Sequence, residues 1–284
     1  MRYMITGSEG FIGRNLRKHI SNSMEDKIIS IDIEGKTIHT RNDIFYRIPV
    51  ESIIYKDDFY DKIDIIYHLA AMSSPVQVEE RPFAGIKSNI LGTSAILEFA
   101  RINHINNVVI ASSSATLGNS LYGLTKSMGE EIGMYYHRHY QLNVVLCRFY
   151  NVFGNYENKG EYTSIPTRFL NNALKNEDIV IYGNGKQSRD FVYIKDLVDW
   201  LISFAKEPNA GIFDFGTGIT TTYNDLAKMI IEMTNSESKI KYVSNPLVNY
   251  QEYTKATKPY MKAKFTLREA LEDMLKEREG ELIE

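Results

Sequence analysis

Short apolar runs alternate with longer segments of helical periodicity through the first 150 residues of the chain. Strands that are apolar along their whole length are buried on both faces, and such strands separated by helices form parallel sheets covered by helices. The alternation therefore predicts an α/β fold built on a doubly wound parallel sheet. The predicted strands span residues 3–6, 28–33, 63–69, 108–112 and 144–146, and the predicted helices include 11–19, 86–101 and 122–139.

The alternation becomes less regular after Asn151, where a loop rich in glycine, asparagine and charged residues covers 154–161. Further helices are predicted over 165–174, 195–206, 223–234 and 267–276, and one more buried strand over 211–216. We predict a sheet domain of residues 1–150 plus about 187–216, and a smaller α/β lobe of about 151–186 plus 217–284.

Three glycines follow the first predicted strand directly, at positions 7, 10 and 13. Glycines at this spacing permit a tight turn into a helix N-terminus, where free N–H groups and the helix dipole favour a pyrophosphate. The alternative is a glycine-rich turn before an ordinary helix. The position of the loop after a strand favours dinucleotide binding, of the Rossmann type, with contacts from Gly7, Gly10, Phe11, Ile12 and Gly13.

Asp32 ends the next predicted strand, nineteen residues after the last of these glycines. An acid at this place accepts hydrogen bonds from ribose hydroxyls and repels a 2′-phosphate. Ile33 and Glu34 follow it, with no Arg or Lys beside the acid, so the sequence predicts NAD rather than NADP as the cofactor. Asp43 and Ile44 are candidates for an adenine contact, with a simple loop carboxylate as the alternative.

Tyr122 and Lys126 lie four positions apart in a segment of helical character, so their side chains share one face. An adjacent ammonium and a positively charged nicotinamide would stabilise the phenolate and so lower the tyrosine pKa, as a catalytic base requires. Ser112, Ser113 and Ser114 end a predicted strand, where ligands bind in such sheets. We predict that Ser114 shares its hydroxyl with the phenol, whereas capping of the next turn is the alternative.

Composition and charge exclude several other classes of function. The formal net charge is −3 and the pI about 6.1, which gives no attraction to nucleic acid or to an anionic membrane. Cys147 is the single cysteine and is predicted to be a buried apolar residue. His137 and His139 could suggest a metal pair, but a solvated helix end is favoured and no metal is predicted. With no secretory signal pattern at the start of the sequence, a cytoplasmic location is expected.

These motifs together resemble the extended short-chain dehydrogenase/reductase family, and within it the nucleotide-sugar epimerases and dehydratases of the UDP-glucose 4-epimerase kind. The resemblance covers nearly the whole chain. The stretches that carry it are 7–13, 68–71, 88–93, 112–116, 122–126, 148–154, 182–193 and 215–218.

The resemblance implies roles for residues whose chemistry alone would not assign them. Further contacts with NAD are implied for Leu69, Ala70, Ala71, Asn89 and Ser112, besides Tyr122 and Lys126. Contacts with a nucleotide-diphosphate sugar are implied for Ser114, Asn151, Thr163, Ser164 and Arg189, where a guanidinium can grip phosphate by two hydrogen bonds. The resemblance also implies a homodimer formed through the helices near 90–101 and 122–139.

Among the reactions of this family we favour C4 epimerisation through a transient 4-keto sugar, with Tyr122 as the base. A 4,6-dehydratase carries an Asp-Glu pair after the strand-end hydroxyl, where this chain has Ala115-Thr116. An enzyme like ADP-heptose 6-epimerase stays open, because Lys159 lies in the loop that would supply a second base. A scaffold that senses NAD without catalysis is the alternative from another class. Ser114 and Tyr122 are only eight positions apart, closer than in relatives.

Overall fold

The computed structural model describes residues 1–35, 42–55, 62–157, 163–206, 209–244 and 252–281. The chain divides into two compact units, one of Met1–Phe149 with Val198–Phe213, the other of Tyr150–Leu197 with Asp214–Glu284. Within the described ranges, no helix combines the length and the apolar character that crossing a membrane requires.

The central sheet contains seven strands among the described residues, and its order is β10-β6-β5-β4-β1-β2-β3. The six strands from β6 to β3 in this order pair in parallel, which confirms the predicted α/β, Rossmann-type fold. Five of these six parallel strands, all except β3, agree with the predicted apolar runs. The seven strands of the sheet are β1 (Arg2–Thr6), β2 (Lys27–Asp32), β3 (Asp43–Arg47), β4 (Ile65–His68), β5 (Asn107–Ser113), β6 (Asn143–Phe149) and, later in the chain, β10 (Gly211–Phe215).

The strand β3 was not among the predicted ones, because it lies at the edge of the sheet and only two of its five residues are buried. Buried and exposed positions mix along it, so it lacks the continuous apolar run of the inner strands.

Helices cover the sheet as the alternating pattern predicts. The predicted helix over 86–101 is interrupted by a π-helical turn at Lys87–Leu91, and a 3₁₀ turn at Ser114–Leu117 precedes the long helix of this unit. The helices of the chain are α1 (Phe11–Ile20), α2 (Pro75–Glu80), α3 (Pro82–Ile86), α4 (Gly92–Ile102), α5 (Leu121–Tyr140), α6 (Ile165–Leu174), α7 (Ile194–Lys206), α8 (Tyr223–Thr234) and α9 (Leu267–Glu281).

One apolar core fills the space between the sheet and the helix α4. Strand residues such as Met4, Ile66 and Val144 pack there with Ile96 and Phe99, all of them almost fully buried. Burying a side chain of this size stabilises the fold by roughly 1.5–3 kcal/mol. The carboxyl ends of the parallel strands, which carry the glycine loop and the three serines, are thereby held on a rigid base.

The second unit is built around β9 (Ser188–Tyr193), which pairs with β11 (Thr220–Thr222) antiparallel and with β7 (Asn151–Phe153) and β13 (Tyr253–Thr254) in parallel. A separate parallel pair joins β8 (Ile179–Tyr182) to β12 (Ile240–Val243). The buried Asp190 carboxylate connects the elements around β9, because it accepts hydrogen bonds from the backbone N–H groups of Thr217, Gly218 and Ala256.

Candidate functional site

The glycine loop between β1 and α1 has a backbone that only glycine can adopt. Gly7 has a φ of +70°, and a Cβ at this position would lie 2.6 Å from the backbone nitrogen of Ala70. A Cβ at Gly13 would lie 2.1 Å from the carbonyl oxygen of Gly7. The loop therefore packs against itself and against the segment after β4, so that its backbone is available for close approach by a ligand.

The loop fits a dinucleotide pyrophosphate. Gly10 precedes the first turn of α1 without a side chain that could cap it, so the N–H groups of Phe11, Ile12 and Gly13 can bind an anion. The Ser8 side chain is fully buried in the loop, and its hydroxyl has no hydrogen-bond partner among the described residues. A buried hydroxyl of this kind is expected to have a partner, and a phosphate oxygen would supply one.

Asp32 lies at the carboxyl end of β2, beside the loop. Its carboxylate accepts hydrogen bonds from the backbone N–H groups of Glu9 (2.9 Å), Ile33 (2.7 Å) and Glu34 (3.3 Å). These bonds orient the carboxylate next to the phosphate loop, which is the placement that an adenosine ribose needs. The ribose contact itself stays a prediction.

The structure places Asp43 on β3 and not in a loop. Asp43 is 4% exposed, and it accepts hydrogen bonds from Ser30 (2.7 Å) and from two nitrogens of Arg17 (3.0 and 2.7 Å). It is the first residue of β3, whereas Asp32 is the last residue of the parallel neighbour β2. This geometry favours a structural role for Asp43. The adenine contact stays a prediction for Asp43 and for the exposed Ile44.

His68 ends β4 and connects the loops at the carboxyl edge of the sheet. Its Nδ1 bonds with the Thr6 hydroxyl at 2.8 Å, and its Nε2 lies 3.2 Å from the hydroxyl of Thr93. Burial, together with the positive charge of Lys126, lowers the pKa of His68 to about 3. The ring is therefore neutral, and it holds the Thr6 hydroxyl in position to accept from the N–H of Ala70.

Asn89 lies in the π-helical turn, and its side chain connects the segment after β4 to the helix α5 by hydrogen bonds. Its amide accepts from the N–H of Met72 at 2.8 Å and donates to the Thr125 hydroxyl at 3.0 Å. Thr125 in turn donates to the carbonyl oxygen of Tyr122. Asn89 thus holds the segment that contains Leu69, Ala70 and Ala71 near the first turn of α5. The contacts predicted between these residues and NAD are not tested by this geometry.

Tyr122 and Lys126 lie on one face of α5, as their spacing predicts. Tyr122 is 8% exposed, and Ser113 is the side chain that acts on the pKa of its phenol. Burial raises the pKa of Tyr122, while Ser113 lowers it in part. Lys126 donates to the carbonyl oxygen of Ala111 at 2.9 Å, and burial lowers the pKa of Lys126 to about 8. An ionised phenol at this place would need compensating positive charge.

Ser113 is the serine that lowers the pKa of Tyr122 in part, and the contact predicted between Ser114 and the phenol stays a prediction. Ser113 is the last residue of β5, and its oxygen accepts from the N–H of Ala115 at 3.1 Å. The chain turns into the 3₁₀ segment at Ser114, which takes that side chain out of the strand. In the sequence, the short interval between Ser114 and Tyr122 indicated that the placement of the serine relative to the phenol could differ from that in relatives.

Ser112 faces a buried ion pair. Its hydroxyl donates to Glu130 at 2.6 Å, and Arg148 donates to both carboxylate oxygens of Glu130 at 2.8 and 2.7 Å. The negative charge of Glu130 raises the pKa of Lys126 and so opposes the effect of burial. Glu130 was not predicted as a site residue, although it lies four positions after Lys126 on the same helical face. The cofactor contact predicted for Ser112 stays a prediction.

The second unit contains the residues predicted for substrate. Arg189 is 6% exposed, donates to the carbonyl oxygen of Ser188 at 2.9 Å, and has its guanidinium 5.7 Å from the ring centre of Tyr223. The Asn151 amide donates to the carbonyl oxygen of Asp190 at 3.0 Å and to the Thr254 hydroxyl at 2.9 Å. Packing against an aromatic ring orients the guanidinium without neutralising it.

Ser164 caps the N-terminus of α6, and its hydroxyl donates to Glu157 at 2.8 Å. Glu157 also accepts from the N–H of Gly154 and from the Thr167 hydroxyl, so this carboxylate organises the start of the helix. Thr163 precedes the cap and is half-buried. The substrate contacts of Thr163 and Ser164 stay predictions. Lys159, the second base required by the 6-epimerase alternative, lies outside the described residues.

Comparison with known proteins agrees with this geometry. The model of the NAD dependent epimerase/dehydratase family matches residues 3–215. The UDP-N-acetyl-α-D-glucosaminuronate decarboxylase of Bacillus cytotoxicus is 29% identical and aligns with 85% of this chain and 83% of its own. A putative UDP-glucose 4-epimerase of Methanocaldococcus jannaschii is also 29% identical, over 80% of each chain. The crystal structure of the Thermotoga maritima UDP-glucose 4-epimerase with UDP-glucose has a TM-score of 0.90 at 23% identity, and covers 99% of this chain and 100% of that chain.

Proposed function

Since this chain belongs to the NAD dependent epimerase/dehydratase family, we propose that it is an epimerase that inverts C4 of a nucleotide-diphosphate hexose. Family membership confirms the cofactor predicted from the sequence, NAD. The observation that carries the proposal is the buried Tyr122 phenol, which shares a helical face with Lys126 and whose pKa Ser113 lowers in part. That arrangement supports proton transfer at a sugar hydroxyl.

Tyr122 acts first as a base and then as an acid. As a phenolate it takes the proton of the sugar 4-hydroxyl while the C4–H bond breaks, and it returns the proton when a C–H bond forms on the opposite face of C4. A bound NAD would supply the reversible hydride acceptor at C4, so the cycle would need no external oxidant or reductant. Ser113 donates a hydrogen bond to the reacting oxygen, and the Lys126 ammonium stabilises the phenolate.

The substrate diphosphate is assigned to Arg189 and Asn151. Arg189 is buried with its guanidinium 5.7 Å from the ring centre of Tyr223, and a guanidinium is the group that binds phosphate through two parallel N–H groups, which a lysine lacks. Three backbone hydrogen bonds from the neighbouring loops to Asp190 support a rigid frame for this side chain. In the proposed reaction the keto sugar rotates to present its other face while its diphosphate stays bound. A rigid diphosphate site allows this rotation without loss of the intermediate.

A second reaction is favoured by one specific finding, the similarity to a decarboxylase of a UDP-uronic acid. Oxidation at C4 of a uronate places a ketone β to the C5 carboxyl group. The C5–COO⁻ bond then breaks, CO₂ leaves, and the electron pair passes to the ketone as an enolate, which a proton at C5 quenches before the hydride returns to C4. The same Tyr122 would begin both reactions, so the substrate decides between them.

Incubation with two sugar nucleotides distinguishes these reactions. We expect the purified protein to convert UDP-glucose to UDP-galactose without added NAD, and to reach the same equilibrium from UDP-galactose, as followed by chromatography. Release of CO₂ from UDP-glucuronate, with UDP-glucose unchanged, would support the decarboxylase instead. A protein that retains NAD and converts neither compound would contradict both proposals and favour a non-catalytic scaffold.

We also propose a homodimer, because α5 carries large apolar side chains that are exposed on the single chain. They include Leu124, Met128 and Tyr135, and Leu91 is exposed just before α4. Exposed apolar residues that cluster mark contacts with another molecule. Light scattering at micromolar concentration should give the mass of two chains for the wild type and of one chain for Leu124→Glu. The control Met24→Glu alters a residue that is 91% exposed and far along the chain from α5, and should remain dimeric.

A further inference from the structure

The phosphate loop contains a charged residue, Glu9, that the proposed reaction does not use. Its backbone N–H donates to the Asp32 carboxylate at 2.9 Å, so the two residues are direct neighbours. Its side chain extends along the segment after β2, because a Cβ at Gly35 would lie 2.9 Å from its Cγ. Two carboxylates are thus present where the ribose acid of a dinucleotide site is found.

Arg17 holds the Glu9 carboxylate in place. One guanidinium nitrogen donates to Glu9, and two others donate to Asp43 at 3.0 and 2.7 Å. Ser30 donates to the remaining oxygen of Asp43 at 2.7 Å, which fixes the far end of the cluster. Arg17 is therefore a cation close to the ribose acid whose donors are occupied by carboxylates.

The charges of this cluster leave a net negative charge. Asp32, Glu9 and Asp43 are three carboxylates, whereas Arg17 and Arg47 are two guanidiniums, and Arg47 is the cross-strand partner of Asp32 and donates to the carbonyl oxygen of Ile33 at 3.1 Å. A 2′-phosphate adds nearly two further negative charges to the ribose of the cofactor. Inside a partly buried site these like charges repel more strongly than in water.

We propose that Glu9, clamped by Arg17, is a second determinant of cofactor choice that works with Asp32 to exclude a 2′-phosphorylated dinucleotide. The inference rests on the proposed NAD site, whose phosphate loop also holds the buried, unpartnered Ser8 hydroxyl. Loss of the Glu9 charge removes one repulsive group and frees one Arg17 donor for a phosphate. Binding of NADP therefore improves while binding of NAD changes little.

The test is a comparison of NAD and NADP binding by calorimetry on protein stripped of bound nucleotide. For Glu9→Gln we expect the ratio of the Kd for NADP to that for NAD to fall by about tenfold, the effect of one like charge at a partly solvated distance. Glu25→Gln removes the same charge at an exposed site outside the loop, and should leave the ratio unchanged. Glu9→Asp keeps the charge and should keep most of the discrimination.

Salt dependence supplies a second measurement on the wild type alone. Screening of repulsion by salt should strengthen NADP binding relative to NAD binding between about 0.01 and 0.15 M ionic strength. An unchanged ratio in Glu9→Gln together with a flat salt response would overturn the inference while leaving NAD binding intact. A wild-type protein that binds neither nucleotide would instead refute the proposed function. If Glu9→Gln does not fold, the salt response and Glu9→Asp decide.

Discussion

Replacement of Tyr122 by phenylalanine is expected to reduce turnover of the sugar nucleotide by about 10²–10⁴-fold, the contribution of a positioned general acid–base group. The ring stays buried, because Tyr122 is only 8% exposed and phenylalanine fills the same space. Only the phenolic hydroxyl is lost. Any hydrogen bond of that hydroxyl is worth about 1 kcal/mol of unfolding free energy, so the variant should fold and retain NAD.

Turnover and bound NAD are measured on the same preparations. Tyr140→Phe, at the exposed end of the same helix, makes the matched change outside the site and should leave both quantities unaltered. Turnover of Tyr122→Phe within a few-fold of the wild type would exclude the phenol as the base. Loss of NAD together with turnover would instead assign Tyr122 to cofactor binding.

Local patterns in the sequence predicted the parts of the site that depend on few residues. Gly7 and Gly13 follow a strand at a fixed spacing: Gly7 has a φ of +70°, and a Cβ at Gly13 would lie 2.1 Å from the carbonyl oxygen of Gly7. Tyr122 and Lys126 share a face because they are four positions apart on a helix. Such features depend on backbone geometry within one segment and are therefore visible before the fold is known.

The parts that were missed depend on contacts between segments. The placement of the three serines depends on where β5 ends at Ser113 and the 3₁₀ turn begins at Ser114, a boundary that a run of serines does not mark. The strand that contains Asp43 is half-exposed, so its pattern resembled a loop. Arg148, the partner of Glu130, lies on β6, and no sequence spacing predicts an ion pair between a helix and a strand.

The Glu130–Arg148 pair leads to the second large effect, which is on stability. The Glu130 side chain is 4% exposed and makes two hydrogen bonds with Arg148, whose side chain is 24% exposed. Removal of one partner of a buried pair leaves the other charge uncompensated, at a cost of about 3–5 kcal/mol. Since Arg148 keeps some contact with solvent, we expect Glu130→Gln to lose about 3 kcal/mol of unfolding free energy, the lower end of that range. Urea denaturation at a fixed concentration of NAD measures it.

The matched control is Glu98→Gln, which breaks the pair with Arg101 on α4, where both side chains are more than a third exposed. That change should cost at most about 1 kcal/mol, and an equal loss in the two variants would contradict the special role of the buried pair.

A second measurement distinguishes packing from electrostatics. Glu130 raises the pKa of Lys126, which burial lowers to about 8. Without the carboxylate this pKa falls, so Lys126 loses its proton at lower pH and the alkaline limb of the kcat profile moves to lower pH. A profile that does not move would restrict Glu130 to a structural role, because packing alone does not change the charge that Lys126 contributes beside the phenol.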